Sequence, residues 1–291
     1  MIARREPFMS PFVSRIGGFA LAAAIAPAPA GATVYQVTNL TDVIWNTIGA
    51  GADPGHHTEF TPTGINDLGT IVGTAWAGPL DRSVVALIAP GLTSTTTYAA
   101  GNTGGGKPIQ LDGYKVNNNN DFVGDAYTFV SSVQTTPAES FIWANNAGHL
   151  LNVAPGVDNR AFGINDSRTV IGGVEAVQYR SVPPFTLGVT TQIPELSNGD
   201  SYHVEDINDS DVIVGTKDAN YFNGGEGFID DHGAITLFSY PGATRTFANG
   251  ISNDGVVFGS WSDAQGYSHG YTYDNGVYTN ISMPGGVSVY L

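Results

Sequence analysis

Asp112, Arg160, His203 and Glu205 are the residues of this 291-residue sequence whose types and placement could do chemistry. Two carboxyls, a guanidinium and an imidazole offer an acid or base and the charges to steady a polar ligand. They are singled out by an internal comparison. A nine-residue phrase occurs five times, at 65–73 (INDLGTIVG), 116–124 (VNNNNDFVG), 164–172 (INDSRTVIG), 207–215 (INDSDVIVG) and 251–259 (ISNDGVVFG). The residue opening it is always apolar. Four places earlier stand Thr61, Asp112, Arg160, His203 and Phe247. Two places earlier stand Thr63, Tyr114, Phe162, Glu205 and Asn249, and just before it Gly64, Gly163 and Gly250 contrast with Lys115 and Asp206. A purely structural position should look alike in every copy, and these do not. Ordinary drift between repeats is the plain alternative to a polar pocket.

Other candidate motifs are weaker. Asp53, His56 and His57 share the connection 45–58, but adjacent histidines on an extended chain point to opposite faces and seldom hold one metal. The run 103–107 (TGGGK) suggests a phosphate loop. It lacks the first glycine at the right spacing, a Ser or Thr after the Lys, and a following helix, so a flexible connector fits better. The run 206–211 (DINDSD) resembles the opening of a calcium loop without its sixth-place glycine or its distal Glu, Lys217 standing there instead. Turn chemistry accounts for it, which leaves calcium as at most a structural stabiliser and no other cofactor expected. No zincin motif or dinucleotide fingerprint is present.

The phrases start 51, 48, 43 and 44 residues apart, a period that marks a repeat array. Each reads as a β-hairpin. β-branched residues flank an Asn/Asp/Gly turn of the kind that a two-residue hairpin loop demands, and Gly69 and Gly255 suit positive φ. Two more strands follow each hairpin, with turns at Asn275-Gly276, at 145–148 and near 231–233, while the first and third units look degenerate through 84–89 and 179–187. No helical period appears. Four short strands in about 45 residues cannot bury both faces and must stack on a neighbour. The expectation is all-β: a single β-propeller domain over 33–291 with five four-stranded blades. The stretch 34–40 resembles a fourth strand without its first three, and 286–291 the beginning of a sixth first strand; these termini could close the ring or be parts of a divided sixth blade.

Residues 1–32 read as a secretory signal peptide: Arg4, Arg5 and Arg15, a short apolar core over 16–26, then small-residue cleavage sites near 28–32. That core is too short to span a bilayer. Cleavage would take the net charge from −15 to −17, with 8 basic against 25 acidic residues left. Such a chain repels nucleic acid and anionic lipid and would tolerate cationic partners or divalent metal, with solubility alone as the plain alternative. With no cysteine, thiol catalysis and cysteine metal centres are excluded.

The hairpin phrase, the step Pro241-Gly242-Ala243 and the strand His269-Gly270-Tyr271-Thr272-Tyr273 together resemble the bacterial extracellular HAF-type repeats. The stretches 139–143 and 226–230 match the aromatic strand more loosely, and the namesake histidine is not repeated. The resemblance implies export and a propeller-like fold without a defined activity. It also implies that the first strand of each unit is innermost, so that Asp112, Arg160, His203 and Glu205 would converge from three adjacent blades at one mouth of a channel. The function expected is a secreted or periplasmic, monomeric, non-catalytic binding protein for a glycan or cell-surface component. The rival is a carbohydrate-active hydrolase or lyase with Glu205 or Asp112 as acid or base.

Overall fold

A computed structural model describes residues 12–16, 19–25, 35–39, 60–77, 82–92, 94–99, 109–130, 133–134, 136–151, 153–154, 156–174, 177–183, 190–196, 201–218 and 225–281. The histidine-bearing connection 45–58, the loop 103–107 and the segment 286–291 lie outside them. Strands β1 (Phe12–Ile16), β2 (Phe19–Ile25) and β3 (Tyr35–Asn39) form a small antiparallel sheet, with β1 and β2 against β4. The stretch read as an export signal thus carries two strands, and within the stretch 34–40 the residues Tyr35–Asn39 form one strand.

The remaining strands make five antiparallel blades arranged as a five-bladed β-propeller, and 3₁₀ turns at Pro90–Leu92 and Pro194–Leu196 are all the helix the described residues contain. Blade 1 is β4 (Phe60–Ile65), β5 (Ile71–Ala77), β6 (Arg82–Ile88) and β7 (Thr95–Tyr98). Blade 2 is β8 (Ile109–Val116), β9 (Phe122–Val130), β11 (Glu139–Ala144) and β12 (Ala147–Leu150), with the two-residue β10 (Val133–Gln134) added to β9. Blade 3 is β13 (Asn159–Ile164), β14 (Val170–Val174), β15 (Val177–Ser181) and β16 (Thr190–Gln192). Blade 4 is β17 (Ser201–Ile207), β18 (Ile213–Asp218), β19 (Gly225–Asp231) and β20 (Ala234–Phe238). Blade 5 is β21 (Arg245–Ile251), β22 (Val257–Ser262), β23 (Ser268–Asp274) and β24 (Val277–Ile281). The two units that look degenerate in sequence have all four strands.

Each blade buries its faces against its neighbours. Apolar layers fill the gaps between consecutive blades: Val72, Val85 and Leu87 of blade 1 meet Leu111 and Val116 of blade 2, and Val214 of blade 4 meets Ala248 and Ile251 of blade 5. The stacking supplies the burial that one small sheet lacks.

The phrase is the hairpin between the first two strands, but its turn differs from expectation. Only the fifth residue has positive φ: Gly69 (84°), Asn120 (60°), Arg168 (66°), Asp211 (59°) and Gly255 (88°). The loop is a four-residue turn whose last member is that left-handed residue, as in Gly69 N–H donating to Asn66 O (3.0 Å) and Asn66 N–H to Thr70 O (3.0 Å). An extra residue in the loop adds twist while keeping the strands in register. The two-residue form, with both φ positive, occurs in the outer hairpins at Asn145-Asn146, His232-Gly233 and Asn275-Gly276.

Candidate functional site

The first strand of every blade carries a β-bulge at the same place. The register slips between Pro62 and Gly64, Gly113 and Lys115, Ala161 and Gly163, Val204 and Asp206, and Ala248 and Gly250. A bulged residue is left out of the ladder and its side chain is re-aimed. The five bulged residues are Thr63, Tyr114, Phe162, Glu205 and Asn249, and all five line one central cavity of about 360 Å³. The glycine closing each phrase makes this geometry: a side chain at Gly124 would fall on the carbonyl of Asp112 across the strand pair, and one at Gly215 on that of His203.

The five side chains divide the cavity. Tyr114 and Phe162, on adjacent blades, put ring centroids 6.1 Å apart. Thr63 Oγ1 donates to Gly113 O at 2.6 Å, and the Tyr114 hydroxyl donates to Asp125 Oδ2 at 3.0 Å. On the other side stand acceptors. Asn249 Oδ1 is buried without a hydrogen-bond partner, and the half-buried Glu205 carboxyl makes no hydrogen bond or ion pair among the described residues. Burial raises Glu205 to about 7; Lys115 opposes the shift and Asp206 adds to it.

A bar crosses the cavity from blade 2. Lys115 Nζ lies 3.2 Å from Asp206 Oδ2 on blade 4 and donates to Asn249 O on blade 5 at 3.3 Å. Asp206 Oδ2 also accepts from Ile251 N–H at 3.2 Å. This explains the contrast between Lys115 or Asp206 and glycine at the matching places. A side chain at Gly163 would press on the Asp206 backbone, and one at Gly64 on the Tyr114 carbonyl and Lys115 Cα.

The turns close the other end of the cavity as a ring. Asn66, Asn117, Asn165 and Asn208 each use the side-chain oxygen to close their own turn and the side-chain nitrogen to reach a main-chain carbonyl on the next blade. Those bridges are 2.8 Å to Asn117 O, 3.0 Å to Asn165 O, 3.2 Å to Asn208 O and 3.3 Å to Ser252 O. A second tier joins Asp67, Asn118, Asp166, Asp209 and Asn253 by main-chain N–H to side-chain oxygen bonds, and Asn253 Nδ2 donates to Asp67 Oδ2 at 2.8 Å to complete the circle. The run 206–211 is spent here: Asp209 bonds blades 3 and 5, Asp211 Oδ1 accepts from Asn165, and Asp206 holds Lys115. Among the described residues no group of three or more His, Asp or Glu is arranged to hold a metal ion.

Of the four residues singled out in the sequence, Arg160 and Glu205 line the cavity, while Asp112 and His203 are not part of its lining. Asp112 accepts from the Tyr127 hydroxyl at 2.8 Å, and His203 Nε2 lies 3.9 Å from Asp218 in its own blade. Asp112 and Arg160 meet indirectly through Asp125, a residue not singled out beforehand. Asp125 is the cross-strand neighbour of Asp112, and its Oδ2 lies 3.7 Å from Arg160 Nε. It is 1% exposed, and its Oδ1 has no partner. Burial raises it to about 7, against the Tyr114 hydrogen bond and the Arg160 charge, with the Asp112 carboxylate adding to the rise. A signal for it was available: the residue after the closing glycine is Thr74, Gly173, Thr216 or Ser260 in the other copies, all neutral.

Neither a family model nor a curated protein sequence matches the chain. Solved structures do. TolB from Acinetobacter baumannii matches with a TM-score of 0.52 at 10% identity, over 73% of this chain and 52% of that one. This chain therefore spans about half the TolB chain. The β-propeller domain of the Trilobed protease from Pyrococcus furiosus matches with 0.45 at 10% identity, over 95% and 99% of the two chains. An acylaminoacyl peptidase from Pyrococcus horikoshii gives 0.46 at 8%, over 95% and 53%. At such identities the likeness is one of fold. No described helix is long and apolar enough to cross a membrane.

Proposed function

We propose that this propeller is a secreted, non-catalytic binding protein of the HAF type, and that its ligand is a carbohydrate seated on the five bulged residues. One observation carries the reading. The fold repeats a bulge five times, and each aims a different side chain into the same cavity. Phe162 and Tyr114 give a face on which the C–H side of a sugar ring can stack, and Glu205 and Asn249 give acceptors for its hydroxyls. About 360 Å³ is at the small end for such sites, which suits one or two sugar rings. Glycan-array screening followed by calorimetry tests it. The expected result is saturable binding that Phe162→Ala abolishes without lowering the melting temperature by more than a few degrees. A blank array at high protein concentration overturns it.

The position of Glu205 near neutrality supports a second reading, a carbohydrate-active hydrolase or lyase with Glu205 as acid or base and Arg160 steadying charge. New reducing ends or unsaturated products from a polysaccharide panel, lost in Glu205→Gln, would replace binding with catalysis.

A further inference from the structure

Charge in the cavity is unevenly resolved. Its described lining holds the carboxylates of Asp67, Asp166, Glu205, Asp206 and Asp209 against the cations of Lys115 and Arg160. Both cations are engaged, Lys115 by Asp206 at 3.2 Å and Arg160 by Asp125 at 3.7 Å. Asp67, Asp166 and Asp209 accept hydrogen bonds within the ring of turns. Glu205 makes neither ion pair nor hydrogen bond among the described residues, although the Lys115 ammonium acts on it, and the matching bulge of the next blade carries the orphaned Oδ1 of Asn249. The buried Asn249 Oδ1 is costly to leave without a donor, and the half-buried Glu205 carboxyl accepts from no described donor. What would satisfy them is a group with several N–H donors and a positive charge. The rest of the molecule points the same way, since a net charge of −15 draws cations toward a walled cavity.

We propose that the channel ligand is an amino sugar, its ammonium held between Glu205 and Asn249 Oδ1 and its ring face on Phe162 and Tyr114. This deepens the carbohydrate reading and rests on it. The aromatic faces reinforce the choice, because an ammonium near an aromatic ring gains from the ring's quadrupole. Burial holds Glu205 at about 7, and an incoming ammonium would restore its charge.

The test is calorimetry at pH 6.5 with three tetrasaccharides of the same linkage: β-1,4-glucosamine, its N-acetylated form, and the neutral β-1,4-glucose oligomer. A hydrogen bond to a charged group is worth about 1.5–3 kcal/mol, so the amine should bind about tenfold tighter than the other two, or more. Glu205→Gln, close to isosteric, should erase that preference. Asn249→Asp should widen it by adding a second carboxylate, so the proposal remains testable if one variant misfolds. Equal or tighter binding of the acetylated or neutral sugar overturns the ammonium and leaves the carbohydrate reading standing. Failure of all three to bind overturns both.

Discussion

The two ends of the channel are built from the same five strands, a few residues apart, and obey opposite rules. At the turns the chemistry is nearly uniform. Four blades place Asn at the second position of the phrase, each such side chain works in two directions, and every bridge ends on a main-chain carbonyl. At the bulges nothing repeats except the backbone: Thr63, Tyr114, Phe162, Glu205 and Asn249 share a geometry and no chemistry, and two of them carry unmet acceptors. The turn ring is where the fold spends its polar groups on itself. The bulge ring is where it leaves them for something else. Stability and binding should therefore separate along one strand, and each prediction below tries that separation at a different place.

The largest effect is expected at Asn165. It is 3% exposed, its Oδ1 accepts from Thr169 N–H at 2.9 Å, and its Nδ2 donates to Asn208 O and Asp211 Oδ1. Asn165→Ala takes the acceptor from Thr169 N–H and cuts both bonds to blade 4, where Asn208 O keeps Asp211 N–H; a buried group left unsatisfied costs about 1–3 kcal/mol and each bridge adds about 0.5–1.5 kcal/mol. A loss of about 2–5 kcal/mol in urea unfolding is expected, with ligand affinity kept at temperatures where the protein is folded. A loss under about 1 kcal/mol would mean that the ring does not tie the blades together.

Asp125 joins the two rules in one residue, being buried yet incompletely paired. Its folded value of about 7 lies well above the ordinary carboxyl range. Between about pH 4 and 7 the folded protein holds a proton that the unfolded chain has released, so stability falls as pH rises through that window. Asn cannot ionise. Asp125→Asn should remove part of the decline in unfolding free energy between pH 5 and 8, on the order of 1–4 kcal/mol at about 1.4 kcal/mol per pKa unit. Glu205 contributes a decline of the same sign to both proteins and cancels in the difference. Parallel curves for wild type and variant would show that Asp125 is ionised throughout.

The sequence disclosed the uniform rule far better than the varied one. Spacing and turn residues were enough for five blades, and Gly69 and Gly255 do have positive φ. A bulge is a property of register between two strands, so no residue type announces it; the positions two before the phrase were visible only as places that failed to repeat. The Lys115–Asp206 bar joins blades 2 and 4 across the axis, and pairing at that separation leaves no local trace. Asp112 and His203 were grouped with Arg160 by counting along the strand, but the bulge lies between them and the turn and decides which side chains turn inward. Among the described residues Arg160 is the one of that row that reaches the cavity.

A smaller, purely local effect belongs to Gly255. Its φ is 88°, and a Cβ there would meet nothing within 4 Å. Gly255→Val should therefore cost strain alone, about 1–3 kcal/mol, and should not alter binding. Thermal melts and calorimetry on one preparation check both halves. Lost binding at an unchanged melting temperature would make the turns part of the site.

The last prediction runs in the stabilising direction. Ser252 stands where the other four blades have Asn. Its Oγ still closes its own turn, accepting from Val256 N–H at 3.0 Å, but a hydroxyl is too short to bridge to the next blade. The carbonyl of Asn66, which the fifth bridge would reach, accepts from Gly69 N–H, whereas its counterparts on blades 2 to 4 accept from their own turn and from the preceding blade's Asn as well. The circle is closed at this seam by the more exposed Asn253–Asp67 bond. Ser252→Asn supplies the missing nitrogen. One net hydrogen bond is worth about 0.5–1.5 kcal/mol, so the variant should gain about that much in urea unfolding, with no change in ligand affinity because no bulged residue moves. A destabilised variant would mean that blades 5 and 1 stand too far apart at the turns for the relay to continue, and that the seam is held by the second tier alone.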